Sequence, residues 1–329
     1  MAPLTDRSQA PPAVVCVTGM HRSGTSLAAR SLDLLGVSLG RRDGLLDPGP
    51  DNVAGYWENA EIKELDDVLL AALGGSWDEP PLLAPGWEAD PSLDGLREQA
   101  RDVIERAFPD HGRAGPVGFK DPRASLLLPF WRTVVTVRTT VVVVRDPAEV
   151  TRSLATRDGM RASQAALLWI RYLLAATGED PGHLLVTQPA FFADLPGTLA
   201  RIAAHVGAPA PAAEVVRRAR EHLDPGLLHH RRESEAAGDG GPLGGLADVI
   251  WNGGDVQLAA LPAPARDAFA QGWVRDPGDA DLLATSRAEV VALTEEIRRR
   301  NRVRDAQLST RFRRRVRSTR RWLEARAHR

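Results

Sequence analysis

Short apolar runs alternate along this chain with longer stretches in which apolar residues recur at helical spacing. The run Val14-Val15-Cys16-Val17 leads through a glycine-bearing turn into a segment with Leu27, Leu32 and Leu35 on one helical face, which ends near Gly36. Helices are predicted over residues 59 to 73 and from 91 to about 108, followed by a short strand from Pro116 to Phe119 that ends on Lys120. The β-branched run Thr139 to Val144 closes on Arg145-Asp146-Pro147, where proline opens the next helix. Ala165, Leu168, Trp169, Tyr172 and Leu173 mark a core helix, His183 to Thr187 a strand, and residues 194 to 206 another helix. Strands apolar throughout, alternating with helices and without internal repeats, predict an α/β fold with a parallel sheet wrapped by helices.

The first turn carries chemistry. Gly19-Met20-His21-Arg22-Ser23-Gly24-Thr25-Ser26 keeps the glycine frame of a P-loop, but Thr25 stands where an ATPase has lysine, and Arg22 is added inside the loop. Backbone N–H groups and the positive end of the following helix converge on one spot, so the loop suits a phosphate or sulfate. Arg22 adds a two-pronged grip on oxyanion oxygens, and Thr25 and Ser26 add hydroxyls. In the second strand-turn-helix unit, Ser153 follows Arg145 by eight residues, about two helical turns.

With these two motifs the chain resembles the sulfotransferases that use 3′-phosphoadenosine 5′-phosphosulfate, and more closely the bacterial branch. The resemblance covers roughly residues 13 to 207. It implies a P-loop nucleotide hydrolase-like fold. It further implies that Gly19, His21, Arg22, Ser23, Gly24, Thr25 and Ser26 hold the 5′-phosphosulfate while Arg145 and Ser153 hold the 3′-phosphate. Lys120-Asp121-Pro122 looks like a third family motif, whose lysine stabilises the leaving oxygen. Composition adds to this: the chain has two lysines, Lys63 and Lys120, among 42 basic residues, and a compact ammonium is not replaced by a planar guanidinium without a change of geometry.

The implied reaction needs no metal, leaves 3′-phosphoadenosine 5′-phosphate and places Lys120, Arg22 and a general base at the chemistry. Cytosolic relatives carry a histidine two residues after the lysine; Pro122 stands there instead. Glu58 in Gly55-Tyr56-Trp57-Glu58-Asn59 is the leading candidate for the base, against the alternative of a helix N-terminal acid favoured by the dipole. Asp121, which could instead orient Lys120, and His21, which could simply line the loop, are further candidates for the base. Tyr56, Trp57, Trp77 and Trp87 are candidate rim aromatics for an acceptor expected to be a hydroxyl of a carbohydrate, glycolipid or small metabolite. The cytosolic family's adenine-closing stretch is absent, with His229-His230-Arg231-Arg232 as a stand-in. Two other classes stay open: a kinase-like phosphotransferase and a catalytically silent nucleotide- or glycan-binding protein of the same fold.

Composition bounds the rest. One cysteine, Cys16, excludes a disulfide within the chain and suggests no zinc site. No signal-length or membrane-length apolar run occurs, so a cytoplasmic enzyme is expected. Residues 1 to 12 read as a disordered leader, 13 to 297 as the enzyme domain with a mobile loop over 223 to 247, and 298 to 329 as a helical tail. That tail holds fourteen arginines against Asp305 and Glu324, a net +12 in a chain whose total is −1. Leu308, Phe312, Val316 and Leu323 give it one apolar face, suited to an anionic membrane at the inner face or to docking on an acidic surface of the same or a second copy. Nucleic acid ranks third, because no aromatic stacking platform accompanies the charge.

Overall fold

The computed structural model describes residues 13–49, 52, 55–81, 83, 86–109, 115–178 and 182–223. All of them belong to one compact unit, Met1–Ala280. The leader, the 223–247 loop beyond Leu223, the His229 cluster and the Arg-rich tail lie outside the described residues.

Four strands form a parallel sheet: β1 (Ala13–Thr18), β2 (Val117–Lys120), β3 (Thr136–Val144) and β4 (Leu184–Thr187), in the order β2-β1-β3-β4. In register, Val17 of β1 lies beside Lys120 of β2 and Val141 of β3. The chain leaves β1 toward β2 and then crosses back to β3 on the other side. The carboxyl ends of β1 and β3 therefore flank a switch point, where open α/β sheets place their ligands.

Both faces of β1 are buried, which is why its sequence does not alternate with polar residues. Val14 and Cys16 face a core made with α2 (Ala60–Ala72), α3 (Asp94–Ala107) and α4 (Ala124–Arg132), centred on Leu69, Phe119 and Trp131. Val15 and Val17 face a second core with α1 (Thr25–Leu34), α8 (Leu195–Val206) and α9 (Ala213–Arg220). Helix α5 (Pro147–Asp158) packs on α6 (Ala162–Gly178), and α6 packs on α4. A one-turn helix, α7 (Gln188–Ala193), follows β4 directly.

The strands and long helices fall where the apolar pattern puts them, and three helices depart from that reading. Helix α4 is bracketed by Pro122 and contains Pro129, two residues that argue against a helix in sequence, yet Leu127, Leu128, Phe130 and Trp131 are buried almost completely. Burial at roughly 1.5–3 kcal/mol per large side chain outweighs the proline penalty. Helix α9 reads as a polar segment because its only fully buried residue is Ala219. Helix α7 is too short to show a period. Trp87 also departs: it packs against the α2-α3-α4 core and does not rim the cleft, because its short 3₁₀ turn presses the indole onto that apolar surface.

The close approach of the first turn to β3 depends on Gly19. Its φ is +134°, and a Cβ there would lie 2.2 Å from the carbonyl oxygen of Val143. Gly36, at φ +87°, has open space around it. Gly19→Ala is expected to destabilise the protein by about 3 kcal/mol or more, and Gly36→Ala by about 1 kcal/mol, as read from denaturant midpoints.

Candidate active site

The ends of β1, β2 and β3 bring His21, Arg22, Gly24, Thr25, Ser26, Lys120 and Arg145 to one cleft, which Glu58 also lines; Gly19, Ser23 and Ser153 are not part of its lining. At the end of β1, the Thr18 hydroxyl and Ser125 Oγ lie 2.7 Å apart, and Thr18 also donates to the Asp121 carbonyl at 2.9 Å. The Gly19 N–H donates to the same Ser125 oxygen at 3.1 Å. These bonds tie the loop's first residue to the Lys-Asp-Pro turn, so the two motifs move as one body. Arg22 sits at φ 68° and Gly24 at φ 92°, a backbone that turns the loop into the start of α1. Arg22 is a non-glycine residue in left-handed conformation, a strain of order 1–3 kcal/mol of the kind kept at functional sites.

The two anchors meet directly. Arg22 Nε donates to Ser153 Oγ at 2.9 Å, and Arg145 Nη1 donates to the Arg22 carbonyl at 3.3 Å. Arg145 is held from behind by the Trp169 indole, which donates to its carbonyl at 2.9 Å, and its guanidinium pairs with Glu149 at 2.7 Å. Asp146 caps α5 by accepting from Ala148 and Glu149, with Pro147 in the first turn. Ser153 thereby points back at the loop from two turns along the helix.

Lys120 emerges from β2 into the same cleft and is almost fully buried. Its ammonium donates to the carboxylate of Glu58 and, at 3.2 Å, to the carbonyl of Tyr56. That carbonyl also accepts from Ser26 Oγ at 3.1 Å, and Asn52 donates to Ser26 at 3.1 Å. The segment around Tyr56 thus clasps both the loop and the lysine. Asn59, not Glu58, caps α2, accepting from Glu61 and Ile62. Glu58 is therefore not a helix N-terminal acid, and its carboxylate is committed to Lys120.

Asp121 lies beneath the cleft, completely buried, and binds Arg123 at 3.1 Å while its carboxyl is pushed up to about 6, chiefly by burial. It does not orient Lys120; Glu58 and Tyr56 do that. Arg123 reaches on to Asp67 at 2.6 Å, and Asp67 also receives Lys63 at 2.6 Å. Both lysines of the chain line the cleft, a pairing that the sequence argument for Lys120 left half used.

His21 is buried between Trp77, 4.5 Å away between ring centres, and Tyr172 at 5.7 Å. Burial first, and then Arg123, Arg157, Lys120 and Arg22, hold its pKa well below the ordinary histidine value. His21 Nε2 and Ser23 Oγ are both buried without a hydrogen-bond partner. An uncompensated donor at Ser23 Oγ, in the turn that leads into the N-terminus of α1, fits an oxyanion ligand. The cleft is about 450 Å³, and Tyr56, Trp57 and Trp77 line it. Trp77 and Trp57 do not offer bare faces: Arg157 lies over Trp77, and Arg30 and Arg42 lie over Trp57, at 5.0 to 5.7 Å from the ring centres. Among the described residues no helix is long and apolar enough to cross a membrane.

No protein-family model matches the chain, and no curated protein matches it in sequence. Several solved structures do match. A sulfotransferase from Mycobacterium tuberculosis, STF1, is similar with 16% identity over 65% of this chain and 72% of that one, at a TM-score of 0.39. The sulfotransferase domain of the Synechococcus olefin synthase is similar with 17% identity over 78% and 96%, at 0.39. A retinol dehydratase solved with retinol and PAP is similar with 16% identity over 66% of each chain, at 0.33.

The buried Lys120–Glu58 pair has a stability consequence. Lys120→Ala leaves a carboxylate uncompensated and is expected to cost about 3–5 kcal/mol, whereas Lys120→Met combined with Glu58→Gln recovers most of the loss. A double-mutant cycle read by urea denaturation checks this.

Proposed function

We propose that the protein transfers a sulfuryl group from 3′-phosphoadenosine 5′-phosphosulfate to a hydroxyl of a carbohydrate, glycolipid or small metabolite. The observation that supports this most is the direct junction of the loop arginine with the Arg145/Ser153 pair, since a doubly phosphorylated nucleotide needs both grips in one cleft. A kinase-like reading has Thr25 against it, where the phosphate-binding lysine would stand.

In this reading the loop amides, Ser23 and Arg22 hold the phosphosulfate, and Arg145 with Ser153 holds the 3′-phosphate. The acceptor oxygen attacks sulfur in line, the bond from sulfur to the phosphate oxygen breaks, and charge grows on that oxygen. Lys120 donates a hydrogen bond to it, leaving Tyr56. Glu58 takes the acceptor proton, and its proximity to Lys120 couples the two events. His21 is a poorer base, because burial, and after it the field of Arg123, Arg157, Lys120 and Arg22, opposes its protonation. Asp121 is enclosed beneath the cleft and bound to Arg123. The products are 3′-phosphoadenosine 5′-phosphate, the sulfated acceptor and a proton.

Lys120→Ala is expected to lower kcat by about 10²–10³ with donor KM changed by less than about threefold. Arg145→Ala is expected to raise donor KM by about tenfold or more with a smaller effect on kcat. Steady-state kinetics with labelled donor and a panel of hydroxyl acceptors measures both. In thermal shift, 3′-phosphoadenosine 5′-phosphate is expected to raise the melting temperature and ATP with magnesium to leave it unchanged; the opposite order would favour the kinase reading.

A further inference from the structure

Where α1 meets α9, the cleft wall carries cations that the nearby acids do not neutralise. Arg30 of α1 and His222, just past α9, both line the cleft, and an Arg30 N–H lies against His222 Nε2. A guanidinium has no acceptor atom, so this contact requires the imidazole nitrogen to be unprotonated. Among the described residues no carboxylate pairs with Arg30. Asp33, the acid whose field favours it, has both oxygens engaged by Arg42 at 2.7 and 2.8 Å. Glu221, the acid beside His222, is bound by Arg217. Arg218 and Arg42 add further positive charge facing Arg30, and Arg218 faces His222 as well.

Placing like charges together without a counter-ion is costly unless something negative arrives. Trp57 makes the arrangement directional. Arg30 and Arg42 lie over its ring at 5.7 and 5.0 Å, so the indole supports both cations, and of the two Arg30 lines the cleft.

We propose that Arg30 and His222, backed by Trp57, form a second oxyanion site in the cleft, separate from the glycine loop, which takes a phosphate-, sulfate- or carboxylate-type group of a bound ligand. Because the reading above gives the donor's 3′-phosphate to Arg145 and Ser153, the group assigned here is an anionic substituent of the acceptor. On binding, the Arg30 edge turns from the imidazole to the anion, and His222 is free to take a proton and donate as well. The pKa of His222 in the free protein is lowered by burial, then by Arg30 and Arg218, with Glu221 opposing. A bound anion raises it, so binding takes up a proton and tightens as the pH is lowered from neutral into the acidic range.

Inorganic sulfate, whose charge is constant over that range, is the probe. Calorimetric titration of the full chain is expected to show saturable sulfate binding that Arg30→Gln weakens at least tenfold at one site, while Arg22→Ala leaves that site intact. His222→Ala is expected to flatten the pH dependence. Sulfate binding in Arg30→Gln identical to that of the unmodified protein, or no sulfate binding at all, would overturn the proposal. Two nucleotides test the acceptor assignment. If Arg30→Gln loses tenfold for 3′-phosphoadenosine 5′-phosphate and nothing for adenosine 5′-phosphate, the site takes the nucleotide's second phosphate, which overturns both the acceptor assignment and that of the 3′-phosphate to Arg145 and Ser153. If neither changes while sulfate binding is lost, the group belongs to the acceptor. The sulfate arm is read without any nucleotide, so a failure of the donor assignment leaves this test standing.

Discussion

The closeness of the β1–α1 turn to β3 organises everything else in this molecule. Gly19 passes so near the Val143 carbonyl that no side chain fits, and the hydroxyls of Thr18 and Ser125 lock that turn to the Lys-Asp-Pro segment after β2. Because β3 ends at Val144, one residue beyond Val143, with Arg145 next and helix α5 after it, the same approach brings Arg22 within reach of Ser153. Three segments distant in sequence become one wall of one cleft, set by a missing Cβ and a serine in a proline-bounded helix.

The electrostatics follow from that convergence. The cations gathered around the loop repel one another, and the protein offsets this in two ways. Lys120 is neutralised by Glu58, Arg145 by Glu149, and Arg123 by Asp121 and Asp67. His21 is held neutral by burial and by the field. Arg30 has none of these devices and rests on an aromatic ring and an imidazole. The pairs fix these cations in position around the cleft.

Much of this was legible in the chain, for physical reasons that differ by residue. The buried strands announce themselves because burial on both faces leaves no polar alternation, and the loop announces itself by its glycine frame. Arg145 and Ser153 could be placed together because Asp146-Pro147 fixes a helix start and eight residues make two turns. Glu58 could be chosen but not oriented, since only the tertiary fold decides that its carboxylate turns to Lys120 and leaves the α2 cap to Asn59. Helix α4 was hidden by its prolines. The covered faces of Trp57 and Trp77 were hidden because stacking by Arg30, Arg42 and Arg157 is made across long sequence separations. Lys63 carried a signal, as one of only two lysines, but no motif says what it faces.

The claim that the loop and the Arg145/Ser153 pair grip one nucleotide from both ends is tested most directly by a crystal structure with 3′-phosphoadenosine 5′-phosphate bound. The account predicts the 5′-phosphate on the backbone amides between Arg22 and Ser26, and the 3′-phosphate within hydrogen-bond distance of Arg145 and Ser153. A nucleotide bound outside this cleft, or one in the loop with its 3′-phosphate away from both Arg145 and Ser153, would contradict it.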